Sequence, residues 1–358
     1  MKRILNIVRI VVMTTVVLTG AFAQTSCSLI DDDLSDCGND YQLDYELRLV
    51  TNMTTELQTE LTTQTDLQVA SALRGHLDNV FTDFAHDVDL SFYDTQGDSL
   101  RLQHDEHIMD ANQASYTLYL PMRQYMHLAA ANVVDNPLVE VTDDSLCHSA
   151  MLAQVDADTI DSHTTGLFTA RQSMEVLEGV DQTFNVHLYM ANCATSLVVD
   201  TLGSGIRNMR VVATGFATGF NLADSIYVFG HSPIVRATEI AYQGSGERCF
   251  TTVNFPSRES AAAPADDEGT RLIIETTDPF VRTIDEGHLW EYRIYAEAAD
   301  GTTTETILSV GDPLRAGQLR IIKCRARADG SMEPTDQRVG VSITLNWHVI
   351  DHGDVPLG

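Results

Sequence analysis

The sequence predicts a mainly β protein that consists of two tandem antiparallel β-sandwich domains, with one helical insertion in the first. Three observations predict this fold class. Apolar and polar residues alternate at both ends of the folded region, turn-forming residues separate the segments between them, and one segment has helical spacing. The chain has 358 residues. Because a single hydrophobic core stops growing at about 250–300 residues, we expect two domains.

The strand prediction is clearest at the two ends of the chain. Tyr41–Leu49 places apolar side chains on one face and polar side chains on the other, and Val339–Val349 repeats the pattern. A turn is predicted at Gln96–Asp98. The strands predicted between the two ends are Val88–Tyr93, Tyr116–Leu120, Phe184–Met190, Met209–Ala213, Leu272–Thr276, Trp290–Ala296 and Leu319–Cys324.

One segment of the first domain has helical periodicity. Between Thr54 and Ala85, apolar residues recur at intervals of three and four. The residues that share this helical face are Leu73, Leu77, Val80, Phe81 and Phe84. We expect the helix to cross an edge or end of the first sandwich and to pack its apolar face against the adjacent sheet.

The first 26 residues are predicted to be a lipoprotein signal peptide. Basic residues precede the apolar run Ile10–Leu18, and small residues follow it. The run is too short for a membrane-spanning helix, which needs about 20 apolar residues. Cleavage after Ala23 by the ordinary signal peptidase competes with cleavage after Ser26. The polar, acidic sequence that follows favours Ser26 as the cleavage position and Cys27 as the lipidation site.

This leader sets the predicted division of the chain. Residues 27–40 form an acidic lipid tether, and residues 41–192 form the N-terminal β-sandwich domain. Residues 193–350 form the C-terminal β-sandwich domain, and residues 351–358 a loose tail. The run Asp31-Asp32-Asp33 just after Cys27 resembles the export signal that sends lipoproteins of the Bacteroidetes to the outer leaflet of the outer membrane. The resemblance implies that the lipid on Cys27 attaches the protein to the outer membrane, exposed at the cell surface.

The charge of the chain is strongly acidic. Asp and Glu number 51 against 22 Lys and Arg, which gives a formal net charge of −29. After removal of the leader, Lys323 is the one lysine that remains. Because nucleic acid and anionic lipid headgroups are bound by clustered Lys and Arg, the composition predicts no nucleic-acid partner.

Five cysteines remain once Cys27 is assigned to lipid. They are Cys37, Cys147, Cys193, Cys249 and Cys324. They are too scattered for a disulfide scaffold, and no CxxC motif suggests redox or zinc chemistry. We expect one or two bridges and a leftover buried thiol, with the connectivity left open.

The sequence contains no catalytic motif such as HExxH, a Walker loop, GxSxG or GxGxxG. We therefore predict a protein that is not an enzyme, with no cofactor and no assigned catalytic, cofactor-binding or metal-binding residue. The most metal-like stretch is His104–His107, which combines imidazole and carboxylate groups. Because no distant partner for it can be identified, we interpret it as a solvated loop.

Two tryptophans, Trp290 and Trp347, could form a platform on which sugar rings stack. Each continues the apolar alternation of its own predicted strand, so placement in the core is the stronger interpretation. Exposed, coplanar tryptophans would instead favour a glycan-binding surface lipoprotein, which is the alternative function.

Several segments, taken in order, resemble the FimB-like and Mfa-like fimbrial anchor and accessory lipoproteins of Bacteroidetes type V pili. The most specific is Asp32-Asp33-Leu34-Ser35-Asp36-Cys37, which leads straight into the first strand. The others are Val88–Gly97, Gly166-Leu167-Phe168, Met174-Glu175-Val176 and Ile343-Thr344-Leu345-Asn346-Trp347. The resemblance spans nearly the whole mature chain. It implies two transthyretin-like sandwiches, a lipid anchor and a place at the base or tip of a surface fibre.

The resemblance also implies a mechanism and partners. Pilin subunits would join this chain by β-strand complementation, in which an extended segment adds to an open sheet edge. Val339–Val349 is either a donor or groove-lining strand, or a resident core strand. Because Arg48 lies within the first predicted strand, the resemblance to anchor subunits implies that this strand is retained rather than removed by an arginine-specific protease.

Five short motifs resemble the O-glycosylation signal of exported Bacteroidetes proteins. Each has Asp, then Ser or Thr, then an apolar residue. The hydroxyl residues of these motifs are Ser99, Ser145, Thr159, Thr201 and Ser225. Composition alone supplies some such matches, so modification at these residues stays open.

Overall fold

A computed structural model describes residues 40–50, 67–81, 85–108, 115–178, 180, 182–241, 246–259, 273–274, 282–283, 288–335 and 341–346. This part of the chain is mainly β, with a single α-helix, and the predicted fold class is confirmed. Within it, no helix has both the length and the apolar character needed to cross a bilayer.

Sandwich I is formed by one seven-stranded sheet that folds over on itself. In sheet order its strands are β3 (Arg101–Ile108), β2 (Asp87–Asp94), β5 (Gln124–Ala131), β9 (Phe168–Glu175), β10 (Gln182–Met190), β1 (Asp40–Val50) and β4 (Ser115–Pro121). Neighbouring strands are antiparallel except β10 and β1, which are parallel. The fold lies between β9 and β10, which pair only at Thr169–Tyr189 and Phe168–Met190.

The short connection between β4 and β5 explains why the sheet must close. Two residues join these strands, although β9, β10 and β1 lie between them in the sheet. Four inter-strand steps across a flat sheet span about 19 Å. The linker from Pro121 to Gln124 reaches about 11 Å at most. The two halves of the sheet therefore face each other, and Phe92, Ala170 and Leu188 share one core between them.

The helix α1 (Leu67–Val80) joins the core of sandwich I to the second half of the chain. Its residues Val69, Leu73 and Leu77 are completely buried. They lie in one apolar cluster with β2, β9 and β10, and also with Val198 and Val253 of the second half. Of the predicted apolar face, Leu73, Leu77, Val80 and Phe81 are buried, whereas Phe84 lies outside the described residues. The buried face packs against both halves of the protein rather than against one sheet alone.

Sandwich II consists of two sheets. The first contains β16 (Thr238–Ile240), β17 (Glu247–Asn254), β11 (Cys193–Asp200), β22 (Leu319–Ala326) and β23 (Met332–Pro334). The second contains β24 (Val341–Asn346), β21 (Thr303–Val310), β20 (Trp290–Glu297), β12 (Asn208–Thr214), β15 (Ile234–Arg236) and β8 (Thr159–Asp161). The first sheet is covered on both faces, by α1 on one side and by the second sheet on the other.

A small third sheet lies against the outer face of sandwich I. Its strands are β14 (Ile226–Val228), β13 (Gly219–Asn221), β7 (Met151–Gln154) and β6 (Val139–Thr142). They cover Tyr93, Leu128 and Ala130. A 3-10 turn at Cys147–Ser149 precedes β7, and the short strands β18 (Ile273–Ile274) and β19 (Arg282–Thr283) pair with each other.

Two pairings cross the predicted domain boundary after residue 192. In the third sheet, β7 pairs with β13, and in sandwich II β8 runs parallel to β15. Segments from the first half of the chain therefore complete sheets of the second half. The boundary itself stays a prediction.

The interpretation of His104–His107 as a loop is wrong. These residues belong to β3, whose side chains alternate between intermediate and high exposure over residues 101–106. The strand is at the edge of the sheet, so even its inward-facing positions are polar. The turn predicted at Gln96–Asp98 is confirmed, and Gly97 occupies the left-handed region there with φ 69°.

Candidate functional site

The structure describes the chain from β1 onward, so Ser26 and Cys27 lie outside the described residues. Cleavage and lipidation at these positions stay predictions. The structure does show the position of β1, the strand that follows the predicted tether, within sandwich I.

Strand β1 occupies a central position in its half of sandwich I. It pairs in parallel with β10 from Leu43–Gln182 to Val50–Tyr189. It also pairs antiparallel with β4 from Asp40–Pro121 to Glu46–Ser115. Both backbone edges of β1 are therefore used, and its removal would separate β4 from the rest of the sheet.

This geometry resists a pulling force that arrives through the N-terminus. Such a force acts along β1, and the hydrogen bonds on its two edges run roughly across the strand. Such a force loads all of these hydrogen bonds at once, so they do not break one after another. Arg48 lies within β1, opposite His187 of β10.

The C-terminal strand β24 is an edge strand. Within the described part of the chain it pairs with β21 alone, from Val310–Val341 to Glu305–Asn346. The segment predicted at Val339–Val349 is therefore resident in sandwich II over residues 341–346. An edge strand exposes a row of backbone groups to which a further strand can add.

Trp290 belongs to the core and not to an exposed platform. Its side chain is completely buried, packs near Phe216 and Tyr292, and donates its indole N–H to the carbonyl of Asp312 at 3.0 Å. The preferred interpretation of this residue is confirmed. Because Trp290 is buried, it cannot belong to the exposed, coplanar pair of tryptophans on which the glycan-binding alternative depends. Trp347 lies outside the described residues.

The stretch His104–His107 acquires a partner that the sequence did not reveal. His104 Nε2 lies 2.8 Å from Asp89 Oδ2 on the adjacent strand β2 and 3.8 Å from Glu106 Oε1. Asp105 instead accepts a hydrogen bond from Gln103. The signal that could have found Asp89 is in β2, where polar residues alternate with core residues although nearly the whole strand is buried.

The five candidate glycosylation residues have unequal surroundings. Ser145 and Ser225 are exposed in turns, and Ser99 and Ser225 have positive φ angles of 55° and 57°. Thr159 lies in β8, and the hydroxyl of Thr201 donates to the carbonyl of Gly246. The two serines at exposed turns are the most accessible of the five, and modification at any of them stays a prediction.

Four of the five candidate disulfide cysteines are described, and all four are free and buried: Cys147, Cys193, Cys249 and Cys324. The expectation of one or two bridges is wrong for these residues. Cys249 and Cys324 flank β11 on its two sides, but they point into different cores. Burial raises the pKa of both thiols to about 12, so they are inert apolar side chains rather than reactive groups. Cys37 lies outside the described residues.

Two histidines, His127 and His163, are buried in the core. Burial lowers the pKa of His127 to about 4, although its ring contacts the carbonyl of Ser91 at 3.0 Å. Burial likewise lowers the pKa of His163 to about 4. The His127 ring stacks on Phe92, and the His163 ring meets the edge or face of Phe255 at 5.6 Å between ring centres. Both are neutral core residues at pH 7.

No protein-family model and no curated protein matches this chain. Among solved structures it is similar to a candidate adhesin from Bacteroides ovatus, with a TM-score of 0.47 and 11% identity over 80% of this chain and 87% of that one. It is also similar to the fimbrial anchor protein Mfa2 from Porphyromonas gingivalis, with a TM-score of 0.43 and 8% identity over 86% and 98% of the two chains.

A third similar structure is the tip fimbrial protein Mfa3 from the same bacterium, with a C-terminal truncation. The TM-score is 0.39, with 9% identity over 86% of this chain and 100% of that one. The three similarities extend along most of each chain at 8–11% identity.

Proposed function

We propose that this chain is a lipid-anchored cell-surface protein that serves, without catalysis, as an anchor or accessory subunit of a fimbria. The lipid on Cys27 holds it in the outer membrane, and pilin subunits join it by β-strand complementation. The predicted signal peptide and the acidic segment after Cys27 support the first part.

The observation that carries this proposal is the position of β1. An anchor must transmit force between the membrane and the fibre, and here the tether leads directly into a strand that is hydrogen-bonded along both edges. A terminal strand at a sheet edge would separate more easily, because hydrogen bonds on only one of its edges would hold it. The retention of β1 that the resemblance implies agrees with this role.

The edge at β24 supports the second part of the proposal. Strand addition needs an extended backbone edge and alternating side-chain positions, and an edge strand offers both. In the described part of the chain, β24 and β1 belong to different sheets. A fibre subunit that adds at β24 would therefore not compete with the pairing of β1.

The test is to shear surface structures from native cells, recover this protein by antibody without boiling, and compare the sample with a boiled one. We expect a heat-sensitive ladder in which mass spectrometry identifies a second, pilin-like chain. A matched strain that carries Cys27→Ser should release the protein from the membrane fraction. A single monomeric band, together with normal fibres in cells that lack the protein, would contradict the proposal.

A further inference from the structure

Two carboxylates face each other near the edge of sandwich I. Asp89 of β2 and Glu106 of the edge strand β3 are direct partners in the antiparallel register. Like charges at directly opposite positions destabilise a strand pair. Asp89 is only 6% exposed, so water screens its charge poorly. A cation or hydrogen-bond donor on the same face of the sheet would stabilise this pair.

His104 lies on that face and completes a cluster of three. Its Nε2 atom is 2.8 Å from Asp89 Oδ2 and 3.8 Å from Glu106 Oε1, and the three candidate ligand atoms all lie within 4.8 Å of one another. Ligand atoms bound tetrahedrally to zinc at about 2.0–2.2 Å are about 3.3–3.5 Å apart. Small side-chain rotations would bring these atoms to that spacing.

We propose that Asp89, His104 and Glu106 bind a divalent transition-metal ion, and that zinc is the ion their chemistry fits best. One imidazole and two carboxylates are borderline and hard ligands, which suit zinc better than the purely oxygen ligand sets preferred by calcium or magnesium. Three protein ligands leave a fourth position for water or for an external carboxylate. The site goes beyond the proposed role in fimbriae and does not depend on it.

The surroundings of the site favour a metal ion over a basic side chain. Arg101, on the same strand, forms an ion pair with Asp144 in the loop between β6 and the 3-10 turn. Among the described residues, Asp89 also accepts a long hydrogen bond of 3.4 Å from Ser91 Oγ. The side chains of His104 and Glu106 are 29% and 55% exposed, so an ion can reach them from solvent. The competing explanation is an ion pair between protonated His104 and Asp89 without metal.

The experiment that separates these explanations is calorimetric titration of zinc into the mature chain carrying Cys27→Ser, at pH 7.5. We expect one site per chain that is lost in His104→Gln. Because removal of a group that merely supports a zinc ligand weakens binding about 10–100-fold, loss of a ligand should weaken it at least that much. His148→Gln, which changes an exposed histidine elsewhere, is the matched control and should bind zinc like the parent.

A second variant keeps the proposal falsifiable if changes at buried Asp89 disturb folding. Glu106 is exposed, so Glu106→Gln should fold normally and still lose zinc affinity. Cobalt substitution should also give visible absorption bands in the parent that are absent from His104→Gln. The proposal is overturned if the parent binds no zinc, or if His104→Gln and Glu106→Gln bind it as the parent does.

Discussion

At the scale of single residues, His127 and His163 link the stability of the protein to pH. Burial lowers both pKa values from 6.5 to about 4, so each ring stays neutral in the folded protein until the pH approaches 4. The unfolded chain binds these protons near pH 6.5. Stability is therefore fully present above pH 6.5 and falls as the pH drops towards 4, by roughly 3 kcal/mol for each histidine.

The measurement is urea unfolding at pH 7.5 and pH 4.5 for the parent and for His163→Gln. We expect the variant to lose less stability than the parent between the two pH values, because glutamine does not titrate. His148→Gln removes an exposed histidine and should keep the parent's pH dependence. Equal losses in the parent and in His163→Gln would contradict the assignment of the effect to His163.

Single residues also show why the candidate site could be predicted only in part. His104 and Glu106 carry side chains that can bind metal ions, and the sequence shows them together because they are only two positions apart. Asp89 is separated from them by the hairpin turn, and its position opposite Glu106 depends on the strand register, which includes an irregularity at Phe92 and Tyr93. Composition and spacing carry no information on that register.

At the scale of elements, α1 is expected to contribute to the stability of both halves. Leu77 is completely buried in the cluster that joins sandwich I to sandwich II. Leu77→Ala should destabilise the protein by about 2–5 kcal/mol, because it leaves a cavity between packed elements. Arg74→Ala, on the exposed face of the same helix, should change stability by less than about 0.5 kcal/mol.

Guanidinium unfolding of the two variants measures this difference. A change in midpoint for Leu77→Ala with an unchanged slope is the expected result, since the slope reports the surface exposed on unfolding. If Leu77→Ala were as stable as Arg74→Ala, α1 would not be a packing element of the shared core.

Some of the elements that the sequence predicted correctly have one buried face. β10 is an example, because buried and exposed side chains alternate along most of it. β11, where only the last residue is not buried, was not recognised, because a strand buried on both faces lacks the period-two pattern and reads as a continuous run of apolar and small residues. The largely buried strands β2 and β20 were nevertheless predicted. β3 was missed for the opposite reason, since an edge strand tolerates polar residues at nearly every position.

At the scale of the whole molecule, pairing across the two halves predicts cooperative unfolding. Strand β7 pairs with β13, β8 pairs with β15, and the hydroxyl of Tyr227 donates to the carbonyl of Ala191 at 2.7 Å. The core that contains α1 includes residues of both halves as well. Neither half can therefore unfold without exposing apolar surface of the other, and calorimetry should record one transition.

Gly219 provides a specific test of this coupling. A Cβ atom at this residue would lie 2.9 Å from the carbonyl oxygen of Leu152 in β7, which is backbone and cannot rotate away. Gly219→Ala should therefore push β13 from β7 and destabilise the protein by about 1–3 kcal/mol. Because the halves are coupled, we expect the single transition to move to lower temperature as a whole.

The matched control is Gly230→Ala, where the added Cβ would meet only Thr218 Oγ1 at 3.5 Å, an ordinary contact. This variant should melt close to the parent. Two separate transitions in the parent would show that the halves unfold independently in spite of the shared strands. A melting temperature for Gly219→Ala equal to that of Gly230→Ala would instead show that the pairing of β7 with β13 adds little to stability, because the strands could then separate at that point without cost.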